Sequence, residues 1–216
     1  MPALFSPRAT IIARSLFSAC VVLVIAVPSL AMLWVRTSWA RGESSPVVQP
    51  IAFDHRLHAG PFRIDCRYCH SGADRSEWAG MPSTQQCVSC HTPLWMSSSM
   101  LAPVRSSVQT RRPIHWRRVT QLPDFVYFDH AIHVNKGVGC ETCHGRVDQM
   151  AQVRQVAPLT MTWCVECHRN PTPNLRPLEA VTAMGWAPPA HSDSLGAELA
   201  ARYHVRPLVN CSTCHR

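Results

Sequence analysis

Ten of the eleven cysteines fall into five Cys-x-x-Cys pairs, and each pair is followed at once by a histidine. The copies are Cys66-Arg-Tyr-Cys69-His70, Cys87-Val-Ser-Cys90-His91, Cys140-Glu-Thr-Cys143-His144, Cys164-Val-Glu-Cys167-His168 and Cys211-Ser-Thr-Cys214-His215. On one helical turn, positions i, i+3 and i+4 share a face, so two thiols and an imidazole can grip a flat group from one side. That is the chemistry of c-type haem attachment, in which the thiols bond the vinyl groups and the imidazole binds iron. A zinc half-site or a redox dithiol would use paired cysteines but gives no reason for a histidine after every pair. A disulfide framework does not need one either. The motifs therefore predict five covalently bound c-type haems.

Each iron keeps a sixth position, and its occupant separates electron transfer from catalysis. Seven further histidines are available: His55, His58, His115, His130, His133, His191 and His204. Four of them lie in an internal repeat. Phe53-Asp-His55-Arg-Leu-His58 precedes two attachment motifs, and Phe128-Asp-His130-Ala-Ile-His133 precedes two more, giving units 53–91 and 128–168. Histidines three apart share a helical face, a spacing suited to two neighbouring haems. Seven residues separate His58 from the next cysteine and six separate His133 from its own. His204 also stands six residues before its motif, so it is the preferred donor for a fifth unit, 204–216, ahead of His191 and His115. The expected distal ligands are His55, His58, His130, His133 and His204; spacing does not say which serves which haem. Histidine supply makes methionine ligation unnecessary, and no catalytic residue is expected.

Residues 15–35 carry no charge over 21 positions, enough to cross a bilayer as a helix. That run exceeds the apolar stretch of a signal peptide, and Arg36 separates it from the small residues Ser38 and Ala40, so a retained anchor is expected. Cys20 inside it reads as a small apolar helix residue. Arg8 and Arg14 precede the run while Arg36 and Arg41 follow it, so charge does not set orientation. Covalent haem is attached after export, which predicts a cytoplasmic segment 1–14, an inner-membrane anchor 15–35, a linker 36–50 and a periplasmic pentahaem domain 51–216.

Fifteen of the 18 prolines lie at or after Pro46, a density hostile to long helices and central strands. The expected fold class is a multihaem c-type cytochrome, cytochrome c7-like, with short helices around packed haems. Trp78, Trp95, Trp116, Trp163, Trp186, Tyr68 and Phe125 are expected against porphyrins. Residues 92–127 form a Ser-, Pro- and Arg-rich linker in which Arg111, Arg112, Arg117 and Arg118 read equally as a docking patch or a solvated loop. The net charge of +8 does not indicate nucleic acid, because haem propionates would offset it.

The stretches CRYCHSGA, DFVYFDHAIHVNKGVGCETCHGRVDQM, LTMTWCVECHRNP and CSTCHR resemble the pentahaem cytochrome subunit of bacterial alternative complex III. The resemblance covers most of residues 51–216 together with the single N-terminal helix. It implies a subunit on the periplasmic face of a quinol-oxidising membrane complex. Its partners there would be an iron–sulfur subunit related to molybdopterin enzymes, polytopic membrane subunits and a monohaem cytochrome c. Electrons would pass from the iron–sulfur partner through these haems to a cytochrome c, copper protein or oxidase. A self-sufficient, membrane-anchored multihaem quinol dehydrogenase is the alternative.

Overall fold

A computed structural model describes residues 6–190 and 194–215. The chain divides into two compact units, residues 1–43 and 44–216.

The first unit is built on α1, Pro7–Val35. The Ser6 hydroxyl accepts from Ala9 N at 3.3 Å, and Pro7 at the first helical position loses no needed hydrogen bond, so the helix begins before the apolar run does. At about 1.5 Å per residue, its 29 residues exceed the hydrocarbon thickness of a bilayer. It is the one helix among the described residues long and apolar enough to cross a membrane. Pro28 interrupts its interior, and the Ser29 hydroxyl donates to Ile25 O at 2.7 Å in the same turn.

Among its described residues the second unit contains nine short α-helices: α2 His55–Ala59, α3 Cys66–Cys69, α4 Thr84–His91, α5 Ala102–Thr110, α6 His130–Asn135, α7 Cys140–His144, α8 Met161–Arg169, α9 Leu195–Arg202 and α10 Cys211–Cys214. There is no sheet among the described residues, only isolated bridges between Pro46 and Arg154 and between Val138 and Leu175. The architecture is thus the expected one of short helices and loops, without strands among the described residues. Helices of four to nine residues cannot support themselves, and their ends are fixed by side chains instead. Asp54, Asp65 and Asp129 accept from the first turns of α2, α3 and α6, while Ser83 and Gln86 form a capping box on α4.

Two stretches depart from the sequence expectation. The end of the expected linker 36–50 is tied into the second unit, with Ser44 N donating to Gln155 O at 2.7 Å and Val47 N to Val153 O at 3.3 Å. The stretch 92–127 is not all loop, since α5 lies within it. Pro103 starts that helix, Val104 is buried, and Ser107 exchanges a hydrogen bond with Thr84 of α4 at 2.5 Å.

Few side chains are fully buried, chiefly Val104, Val134, Leu175, Val181 and Leu199. Large aromatics stand exposed beside the attachment motifs instead, among them Tyr68, Trp78, Trp95 and Phe125.

Candidate functional site

The Phe-Asp-His-x-x-His repeat builds one small device twice. In the first copy, the Asp54 carboxylate caps α2 by accepting from Arg56 N, while its main-chain carbonyl accepts from His58 Nδ1 at 2.9 Å. Phe53 stacks on the His58 ring at 4.2 Å. In the second copy, the Asp129 carboxylate accepts from Ile132 N and its carbonyl from His133 Nδ1 at 2.7 Å, with Phe128 stacked on His133 at 4.4 Å. A proton held on Nδ1 leaves the Nε2 lone pair free for a metal and fixes the ring's orientation. The aspartate and the phenylalanine in the repeat therefore position the histidine, which spacing alone did not reveal.

The same tautomer lock recurs on the motif histidines. His70 Nδ1 donates to Gly80 O at 2.8 Å, His91 to Leu94 O at 3.2 Å, His168 to Leu208 O at 3.0 Å and His215 to Phe125 O at 2.9 Å. His130 Nδ1 donates to Ala73 O at 2.8 Å, which ties a histidine of the second repeat to a carbonyl of the first repeat. Seven of the ten histidines expected to bind iron thus present Nε2. His55 differs: its Nδ1 is buried with no hydrogen-bond partner.

These rings meet in pairs. His58 and His91 have ring centroids 6.3 Å apart, His130 and His144 6.3 Å, and His133 and His168 5.9 Å. An imidazole–metal bond of about 2 Å, with about 1 Å more from nitrogen to ring centre on each side, puts two axial rings about 6 Å apart. The observed separations fit an iron between them. His55 lies close enough to His70 to feel its charge. In both repeats the second histidine therefore faces the second motif, and in the second repeat the first histidine faces the first motif.

Burial keeps several of these imidazoles neutral, the state a metal requires. Burial lowers His144 to about 4, helped by the charges of His130 and His70, and lowers His55 to about 4, helped by His70 and His58. Burial likewise lowers His133. No disulfide joins any of the eleven cysteines, which leaves the ten motif sulfurs available for attachment. Burial raises Cys143 to about 11, with Cys167 and Cys164 nearby.

The donor set fits haem better than zinc. Among the described residues no group of three or more metal-binding side chains assembles, as a tetrahedral zinc site would need. Opposed imidazole pairs beside a Cys-x-x-Cys are the arrangement an axially ligated haem takes.

The fifth set is less complete. His215 is locked onto Phe125 O, yet His204 is exposed at φ 53°, and no ring contact joins the two among the described residues. His115 is exposed, and His191 lies outside the described residues.

Beside the third motif lies a buried arginine. Arg176, 6% exposed, donates to Glu141 Oε1 and to Ala183 O, both at 3.0 Å, and stacks over Trp186 at 5.0 Å. A Cβ at Gly139 would overlap its guanidinium, so only glycine admits the arginine beneath α7. Trp186 thus serves Arg176 within the protein.

Comparison with known proteins agrees with this chemistry. Residues 126–216 match the family model described as cytochrome c7 and related cytochrome c. The chain is also 35% identical over 97 residues to the "Menaquinone reductase, multiheme cytochrome c subunit" of Nitratidesulfovibrio vulgaris (strain Hildenborough), a match over 44% of this chain and 45% of that protein. The chain thus spans less than half the length of this relative. With motifs, paired imidazoles and family match in agreement, the chain carries a cytochrome c7-like multihaem domain with covalently bound c-type haems.

Proposed function

We propose that this chain is an electron-transfer subunit of a quinone-linked membrane complex, carrying five bis-histidine c-type haems. Bound haem would supply reversible one-electron iron chemistry. Cys66, Cys69, Cys87, Cys90, Cys140, Cys143, Cys164, Cys167, Cys211 and Cys214 would hold the groups covalently. His70, His91, His144, His168 and His215 would supply the near imidazoles, and His55, His58, His130, His133 and His204 the far ones. The observation that carries this reading is the set of opposed histidine pairs at 5.9–6.3 Å with Nδ1 fixed on carbonyls. Such a site is closed on both sides, which suits relay and leaves no position for substrate.

The N-terminal helix α1 would anchor the subunit in the cytoplasmic membrane, with the haem domain on the periplasmic side where c-type haem is attached. The resemblance to alternative complex III supports an iron–sulfur partner, polytopic subunits and a monohaem cytochrome c as neighbours. In that setting electrons run from quinol towards a cytochrome c, copper protein or oxidase. The similar multihaem subunit is named for a menaquinone reductase, which favours the opposite direction as the second reading.

Two measurements on the mature native chain test the core of the proposal. Intact mass should exceed the polypeptide by five haems, and low-temperature EPR should show only low-spin iron. A high-spin signal in the intact complex would overturn the closed-site reading. Affinity purification of the tagged subunit should bring down an iron–sulfur protein and polytopic membrane proteins; recovery of the chain alone counts against the complex. Pre-steady-state mixing with quinol or with reduced periplasmic donor then gives the direction.

A further inference from the structure

Sequence order and spatial order of the five motifs differ. Motif 1 meets motif 2 where the Tyr68 hydroxyl shares a 2.9 Å hydrogen bond with Ser89 Oγ and Gln86 Nε2 donates to Tyr68 O at 2.6 Å. On its other side motif 1 meets motif 3. The Cys66 and Cys140 side chains lie side by side. His130, opposite His144 of motif 3, donates to Ala73 O just after motif 1. The Thr182 hydroxyl donates to Asp65 Oδ2 at 2.9 Å beside motif 1, and its neighbour Val181 O accepts from Cys140 N at 2.9 Å.

Motif 3 then adjoins motif 4. Thr142 lines one cleft together with Glu166 and Cys167, and α6 supplies one histidine to each motif. Motif 4 adjoins motif 5 through a reciprocal pair: Leu208 N donates to His168 O at 3.2 Å, and His168 Nδ1 donates to Leu208 O at 3.0 Å. The hydrogen bonds and shared histidines that join motif to motif thus define four junctions: 2 with 1, 1 with 3, 3 with 4 and 4 with 5.

We infer that the haem sites form an unbranched row in the order 2–1–3–4–5. This rests on the haem reading above and adds its path. The row has two ends, the site of Cys87, Cys90 and His91 and the site of Cys211, Cys214 and His215. Those ends are where electrons enter and leave. The first motif in the sequence is interior, and the step from site 1 to site 3 is the one bridge between the two repeat units.

Diffraction from crystals of the haem-loaded chain, collected at the iron absorption edge, tests the order directly. Each iron is assigned by the Cys-x-x-Cys-His that holds it. The iron on His70 should have two nearest iron neighbours, those on His91 and His144. An iron on His70 at the end of the row, or the iron on His91 next to that on His144, overturns the order. The readout needs no quinol and no partner. The order can therefore stand while electron exchange with quinone fails, or fall while five closed haems remain.

Discussion

The two repeat units share a sequence frame but treat their first haem motif in opposite ways. In the unit 53–91, the residue after the first cysteine is Arg67, paired at 3.0 Å with Asp65, both about 40% exposed. In the unit 128–168, the equivalent residue is Glu141, paired at 3.0 Å with Arg176 on side chains only 15% and 7% exposed. The position before the cysteine follows suit. Asp65 caps α3 with its carboxylate, whereas Gly139 gives up that cap to make room for Arg176. Their proposed distal ligands differ too, since His130 is hydrogen-bonded at Nδ1 and His55 is not. The ion pair beside the motif is thus exposed in the first repeat and buried in the second. Packing, rather than motif, decides how much each haem site holds the domain together.

The largest expected contrast comes from removing the attachment thiols. Replacing Cys87 and Cys90 by serine should remove one haem at the end of the row, lowering Soret absorbance per chain by about a fifth and leaving a folded domain. Replacing Cys140 and Cys143 should remove more than one haem's worth and abolish the cooperative thermal transition, because the cofactor serves as core there. Intact mass and calorimetry on the purified chains give both readouts, and equal losses would break the comparison.

Next comes the ion pair. Arg176→Met leaves Glu141 charged and half-paired in a dry site and should cost about 3–5 kcal/mol in denaturant unfolding of the haem-loaded chain. Arg67→Ala removes an exposed pair and should cost less than about 1 kcal/mol. A similar cost for both would mean that burial does not separate the units.

A finer contrast concerns potential. A hydrogen bond on Nδ1 makes an imidazole the stronger donor and favours ferric iron. The haem facing His130 should therefore titrate below the haem facing His55, by an amount on the order of 1 kcal/mol, the net worth of one hydrogen bond. An EPR-monitored redox titration, with signals assigned through His55→Met and His130→Met, would show a reversed order if the lock does not matter.

Much of this was legible from spacing. The five motifs, the repeat and the short helices were all readable, because each depends on residues within a turn or two. What stayed hidden depends on closure of the chain. His70 reaches a carbonyl ten residues on, His215 one 90 residues back, and Arg176 finds Glu141 across 35 residues. Pairing each histidine with its motif needs the direction in which α2 and α6 lie, and spacing carries no direction. The helix α5 was missed because a Ser- and Arg-rich stretch hides the single buried valine that holds it, Val104.

The smallest effect expected is one of pH. The Arg67 guanidinium, with Thr182 adding a hydrogen bond, holds Asp65 down at about 2. A depressed carboxyl contributes stability that is complete above the ordinary carboxylate range and disappears as pH falls through about 2. Because the pair is exposed, that contribution is below about 1 kcal/mol. Acid titration of Asp65→Asn against the native chain should show curves that differ above pH 4 and converge near pH 2.

The carbonyls that steady His130, His168 and His215 come from Ala73, Leu208 and Phe125, all distant in sequence. A newly made polypeptide would therefore meet its porphyrins while those rings still swing loose, and they set only as remote segments arrive. Maturation should resemble a zip fastener with its slider at the C-terminus: thioethers can form one after another, but the grip on iron tightens along the chain together and late.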